Sequence, residues 1–138
     1  MKTTGFEGFL LGYMTAALWS STYDPTGGNE GDNEYPIDSD FGIDDIDADL
    51  TERMIEDCKV FWRRNGCFVD ARSEHHNRGE YTIEQQAGHD FWLTRNGHGV
   101  GFWDRSELWG PYTEKFEKDA EWFGTHDITV TKNKVTDI

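Results

Sequence analysis

His89-Asp90-Phe91-Trp92-Leu93-Thr94-Arg95-Asn96-Gly97-His98-Gly99-Val100-Gly101-Phe102-Trp103-Asp104-Arg105 is the stretch on which the fold turns. Strand-forming residues flank the turn-rich tetrapeptide Asn96-Gly97-His98-Gly99, a pattern that predicts a β-hairpin. With that tetrapeptide as the loop, Arg95 faces Val100, Leu93 faces Phe102 and Phe91 faces Asp104. The other face pairs Thr94 with Gly101, Trp92 with Trp103 and Asp90 with Arg105. An aromatic pair and an opposite-charge pair each add about 0.2–1 kcal/mol to such a ladder, and a slip of one residue scrambles both faces. The expected fold is α+β: a small antiparallel sheet built on a central β-hairpin at about 89–105, packed by about three helices.

Upstream, Phe6, Phe9, Leu10, Tyr13, Met14, Ala17 and Leu18 recur at helical spacing and predict a helix over 5–21. Thr4 and Glu7 read as its capping box, and Pro25 stops it. Residues 23–49 read as a long acidic loop pinned back by Tyr35, Ile37, Phe41, Ile43 and Ile46. A second helix starts at Asp49 as its cap and buries Leu50, Met54, Cys58 and Phe61. Gly66 is its natural stop, unless Phe68 and Val69 continue the stripe. Thr82 and Gln85 form another capping box, for a short turn that ends at Gly88.

Downstream of the hairpin, Gly110-Pro111 breaks the chain. Thr113 then caps a third helix carrying Tyr112, Phe116, Ala120 and Phe123, with Gly124 as its end. Residues 126–138 alternate as strands do, and Lys132-Asn133-Lys134 turns the chain back on itself. Phe9, Tyr13, Phe61, Leu93, Phe102 and Phe116 are the expected core.

The 138 residues read as a single domain, 1–138, with 27 acids against 13 Lys and Arg and a formal charge of -14. That balance argues against direct nucleic-acid binding, which needs a basic surface, and points to solubility or to a basic partner. No apolar run is long enough to span a bilayer, so no membrane role is expected. Cys58 and Cys67 are neither a CxxC pair nor part of a zinc series, and no signal peptide is expected ahead of them. Cys58 therefore reads as a reduced core thiol, and the chain as cytoplasmic.

Metal and cofactor signals are weak. Asp38-x-Asp40 lacks the Gly and distal Glu of an EF-hand, and His75-His76 point apart on any regular element. There is no HExxH, no GxSxG elbow, and no phosphate loop, since Gly97-x-Gly99-x-Gly101 opens no helix. No cofactor and no metal are expected. Asp38, Asp40, Asp44, Asp45 and Asp47 are the candidate partner-binding residues, because their mutual repulsion has no obvious folding benefit; Asp49 is set aside as a cap. A second candidate is a nucleotide site in which Trp92 and Trp103 form a stacking platform beside Arg95 and His98. A third is a small hydrolase using His98 with Asp90 or Asp104.

The string from Gly88 to Arg105 resembles a motif in small acidic bacteriophage proteins of unassigned function. The likeness extends more loosely to Ala17-Leu18-Trp19-Ser20-Ser21-Thr22 and Asp57-Cys58, and to the closing helix and strand. It implies a phage gene product in the cytoplasm of a bacterial host and brings no activity with it. Together with the charge, it makes a non-enzymatic interaction module the leading expectation. Such a module would inhibit a host DNA-handling or defence protein by laying carboxylates on a basic host surface.

Overall fold

The computed structural model describes residues 5–26, 34–76, 79, 81–97 and 100–138. Helix α1 (Gly5–Ser20) forms where the apolar period predicts it, burying Phe9, Tyr13, Met14, Ala17 and Leu18. Thr4, and with it the expected capping box, lies outside the described residues. A short ladder follows, β1 (Thr22–Tyr23) pairing antiparallel with β2 (Tyr35–Pro36). Single 3-10 turns at Ile37–Ser39 and Ile43–Asp45 then carry the chain back to the body. Ile37 and Ile46 are buried and pin this segment, while Tyr35 is half exposed and holds only through its ladder pairing with Tyr23.

Helix α2 (Ala48–Asp70) is capped by Asp47, whose side chain accepts from the Leu50 amide at 2.7 Å. Asp49 therefore sits in the first turn and not at the cap. The helix runs through Gly66 because that glycine makes room for an indole: a Cβ there would meet the Trp62 ring at 2.7 Å. Leu50, Met54, Cys58, Phe61 and Val69 form the buried stripe, and both cysteines are free thiols, Cys58 buried and Cys67 exposed.

Residues 89–105 do not form a hairpin. Helix α3 (Ile83–Arg95) starts at the Thr82–Gln85 capping box, as the sequence predicts, and continues through Gly88 for the whole first arm of the expected hairpin. Gly88 does not stop the helix; it is where α3 meets α1. A Cβ on Gly88 would lie 1.9 Å from the Phe9 carbonyl oxygen, and one on Gly12 would lie 1.9 Å from that of Gln85. Asn96-Gly97 ends the helix: Gly97 has φ +70°, the left-handed conformation common just past a helix C-terminus. The second arm becomes a 3-10 turn, Trp103–Arg105, followed by α4 (Ser106–Trp109) and a further 3-10 turn, Gly110–Tyr112.

Helix α5 (Thr113–Glu121) buries Phe116 and Ala120. Thr113 does not cap it through its side chain; its hydroxyl donates instead to the Gly110 carbonyl at 2.9 Å. The chain closes with a β-hairpin, β3 (Ile128–Thr131) and β4 (Lys134–Asp137), joined by Lys132-Asn133 at φ 54° and 62°. Two positive φ values in a two-residue loop match the right-handed twist of the strands.

The fold is α+β, with antiparallel ladders at β1–β2 and β3–β4 and four helices of nine residues or more among the described residues. Its centre is a helix and not a hairpin. Phe61 of α2 stacks at 4.4 Å on Phe91 of α3 and at 5.7 Å on Phe102, and Phe102 lies 5.2 Å from Phe116 of α5. Phe9, Tyr13, Phe61, Leu93, Phe102 and Phe116 are all fully buried, as expected.

Candidate functional site

From Ala87 to Arg95 every residue of α3 is buried, so its polar side chains had to find partners inside the molecule. Asp90, fully buried, takes four side-chain partners. Its Oδ1 accepts from Arg105 Nε at 2.9 Å and Gln86 Nε2 at 3.1 Å, with His89 Nδ1 at 3.2 Å, and its Oδ2 accepts from Trp109 Nε1 at 2.9 Å. The expected Asp90–Arg105 pair therefore exists, but it joins a core helix to a 3-10 turn and does not cross a hairpin.

Arg95 is a second buried knot. Its Nη1 donates to Asp57 at 2.7 Å and to the Tyr13 hydroxyl at 2.9 Å, while Nε and Nη2 donate to the carbonyls of Gly124 and Phe123. Its guanidinium lies 5.3 Å from the Phe123 ring centroid. Burial works against the charge, but Tyr13 and Asp57 favour it, and the balance holds the Arg95 pKa above its ordinary value. Burial likewise pushes the Tyr13 phenol and the Cys58 thiol up, so both stay protonated and uncharged at neutral pH. Arg95 clamps α3 to α1, α2 and the segment after α5, leaving no free edge for a ligand.

The expected stacking platform does not form. Trp92 is 1% exposed and donates from Nε1 to the Ser20 hydroxyl at 2.8 Å, whereas Trp103 stands 67% exposed on its 3-10 turn. Of the nucleotide-binding candidates, Trp92 and Arg95 are buried and Trp103 is exposed, while His98 lies outside the described residues. The hydrolase reading loses Asp90, whose oxygens are buried and already bonded.

What the fold does assemble is a cleft of about 420 Å³ beside the Asp90 cluster, lined by His75, His76, Gln86, Asp104, Arg105, Ser106, Glu107 and Leu108. Three separate segments build it: the end of the 3-10 turn after α2, the first turn of α3, and the run from the Trp103–Arg105 turn into α4. Arg72 fastens the first to the last by donating from Nε to the Leu108 carbonyl at 2.7 Å. His76 Nε2 lies 2.7 Å from the Tyr81 carbonyl, which fixes the ring at the cleft edge.

The acidic segment divides in two. Asp40 accepts from the Tyr23 hydroxyl, Asp45 from the Gly42 amide at 2.8 Å, and Asp47 caps α2. The Thr136 hydroxyl and the Leu50 amide hold the Asp47 carboxyl below the usual carboxylate range. Asp38 and Asp44 are exposed and have no hydrogen-bond partner among the described residues. Asp49, Glu52 and Glu56, spaced along one side of α2, are exposed as well and share a shallow concavity with Arg53 and Lys59. Their spacing of i, i+3 and i+7 is the sequence signal that puts these three on one side of the helix.

Among the described residues no helix is long and apolar enough to cross a membrane, and no group of three or more His, Cys, Asp or Glu is placed to hold a metal ion. Compared with protein-family models, with curated proteins and with solved structures, the chain matches none.

Proposed function

We propose that this protein is an acidic interaction module without chemistry of its own, which docks on a basic surface of another protein. The supporting observation is how its charges are distributed. Arg53, Arg95, Arg105, Lys115 and Lys118 are each paired with a carboxylate of the same molecule. Each pair ties up one carboxylate with its cation, and the acids left over still outnumber the Lys and Arg left over. Meanwhile Asp38 and Asp44, then Asp49, Glu52 and Glu56, remain exposed along one continuous segment. Asp40, Asp45 and Asp47 belong to the same segment but also hold it in shape.

Carboxylates so placed can occupy a groove that otherwise takes nucleic-acid phosphates. In the finer form of this proposal the partner is a host DNA-handling or defence protein, bound in a bacterial cytoplasm and inhibited by the occupation. Electrostatic docking of this kind acts mainly on association rate and weakens as salt rises.

The test is affinity capture from a bacterial lysate at low and high salt, alongside a variant carrying Asp38→Asn, Asp44→Asn, Asp49→Asn, Glu52→Gln and Glu56→Gln. The expected partner is released by salt, displaced by duplex DNA and bound several-fold more slowly by the variant. A partner indifferent to salt, or bound equally fast by the variant, would sink the proposal.

A further inference from the structure

Burying a carboxylate costs several kcal/mol, and a helix that served only to fill the core would carry an apolar residue at position 90. Asp90 is fully buried, and donors from Gln86, His89, Arg105 and Trp109 converge on it. One consequence is the orientation of Arg105. Its Nε is spent on Asp90, its side chain is 35% exposed, and it lines the cleft. Its Nη1 and Nη2 have no hydrogen-bond partner among the described residues. A guanidinium anchored through Nε presents Nη1 and Nη2, at its other edge, to two oxygens of a single oxyanion.

We propose that the cleft binds a small ligand through one compact oxyanion, a carboxylate or a phosphate, seated on the free edge of Arg105. Gln86 and Ser106 add neutral hydrogen-bonding groups to the cleft lining, and His75 and His76 line it as well. The volume, about 420 Å³, falls in the range of small-molecule sites. Asp104 and Glu107 also line the cleft. They repel an extended polyanion such as a nucleic-acid strand, so selection depends on the fork geometry at Arg105 and not on a positive field. The site is independent of the acidic docking face, and either can fail without the other.

The test titrates isotope-labelled protein with inorganic phosphate and, separately, with acetate, at constant ionic strength set by sodium chloride. Nuclear magnetic resonance follows the Arg105 side-chain Nε–H and the backbone amides of His76, Gln86 and Ser106. Saturable shifts confined to these groups in either titration are expected, and the anion that saturates identifies the oxyanion class. Arg105→Lys keeps a cation beside Asp90 but removes the fork, and should weaken binding at least tenfold. Should that variant lose its fold, Ser106→Glu places a carboxylate in the cleft without touching Asp90 and should abolish the saturable shifts. Linear, unsaturating shifts with both anions, or saturation that survives the substitutions, would overturn the proposal.

Discussion

Gly88→Ala puts the packing of α1 against α3 to its sharpest test. The added Cβ would lie 1.9 Å from the Phe9 carbonyl oxygen and 2.8 Å from the Tyr13 nitrogen, both backbone atoms of α1 that no side-chain rotation can move. Restoring an ordinary contact of about 3.4 Å requires α1 and α3 to separate by about 1.5 Å. That separation would open the contacts of Phe9 with Phe91, at 5.8 Å between ring centroids, and of Tyr13 with Trp92, at 5.3 Å. A gap of about 0.5–1 Å already forfeits a quarter to a half of a dispersion contact. Overpacking costs about 1–3 kcal/mol and occasionally more, and alanine returns about 1 kcal/mol of helix propensity. Because the obstacle is backbone on a fully buried seam, the cost should lie above that range, at about 3–5 kcal/mol, leaving a net loss of about 2–4 kcal/mol, a large part of an ordinary domain's stability of about 5–15 kcal/mol. Urea unfolding followed by tryptophan fluorescence and far-ultraviolet circular dichroism reads this as a lower midpoint at unchanged slope. Gly42→Ala is the control, since a Cβ there meets nothing within 4 Å and its φ of -114° suits any residue. Gly12→Ala combined with Gly88→Ala should cost less than the sum of the two, because helices already parted make room for both methyls. A Gly88→Ala protein within about 0.5 kcal/mol of the parent would refute the close crossing.

Asp90→Ala strands the donors of Gln86, His89, Arg105 and Trp109 and should cost about 3–5 kcal/mol in the same unfolding assay. Glu117 has one carboxylate oxygen buried without a partner among the described residues, and burial pushes its pKa up, with Glu121 adding and the Trp103 amide opposing. A carboxyl whose folded pKa is raised favours the fold only while protonated, and that contribution fades as pH rises through the folded value. Glu117→Gln should therefore stabilise the protein at pH 7, with the gain vanishing once the pH falls below the ordinary glutamate range; equal gains at both ends would refute it. Asp137 is the reverse case: its hydrogen bonds from Arg53 lower its pKa, and His126 adds to the effect. Its contribution is present above the ordinary aspartate range and lost as pH falls through the folded value, so Asp137→Asn should be less stable at pH 7 and show a flatter acid limb.

Signals confined to one element read correctly from the chain. The apolar stripes of α1 and α2, the Thr82–Gln85 capping box and the Lys132-Asn133 turn all depend on neighbours within a turn or two, which sequence spacing records directly. The α+β class follows from them. Helix α3 was illegible for a physical reason. Buried on every side from Ala87 to Arg95, it has no polar face and so no helical period to detect. Its aromatic residues then mimic a strand. Asn-Gly adopts positive φ equally well in a hairpin turn and at a helix end, so Asn96-Gly97 could not choose between them. Gly88 and Gly66 look like breakers in isolation and become places of close approach only when α1 and the Trp62 ring press on them. Asp90 and Arg105 were matched for their opposite charge, while the geometry joining them came from the packing. The cleft assembles residues from 75–76, 86 and 104–108, segments that meet only because Arg72 ties the end of α2 to α4 and Asp90 ties α3 to Arg105. Local propensity acts through a residue's own backbone and nearest neighbours; which distant surfaces then touch is decided by packing, and that choice belonged to the tertiary structure alone.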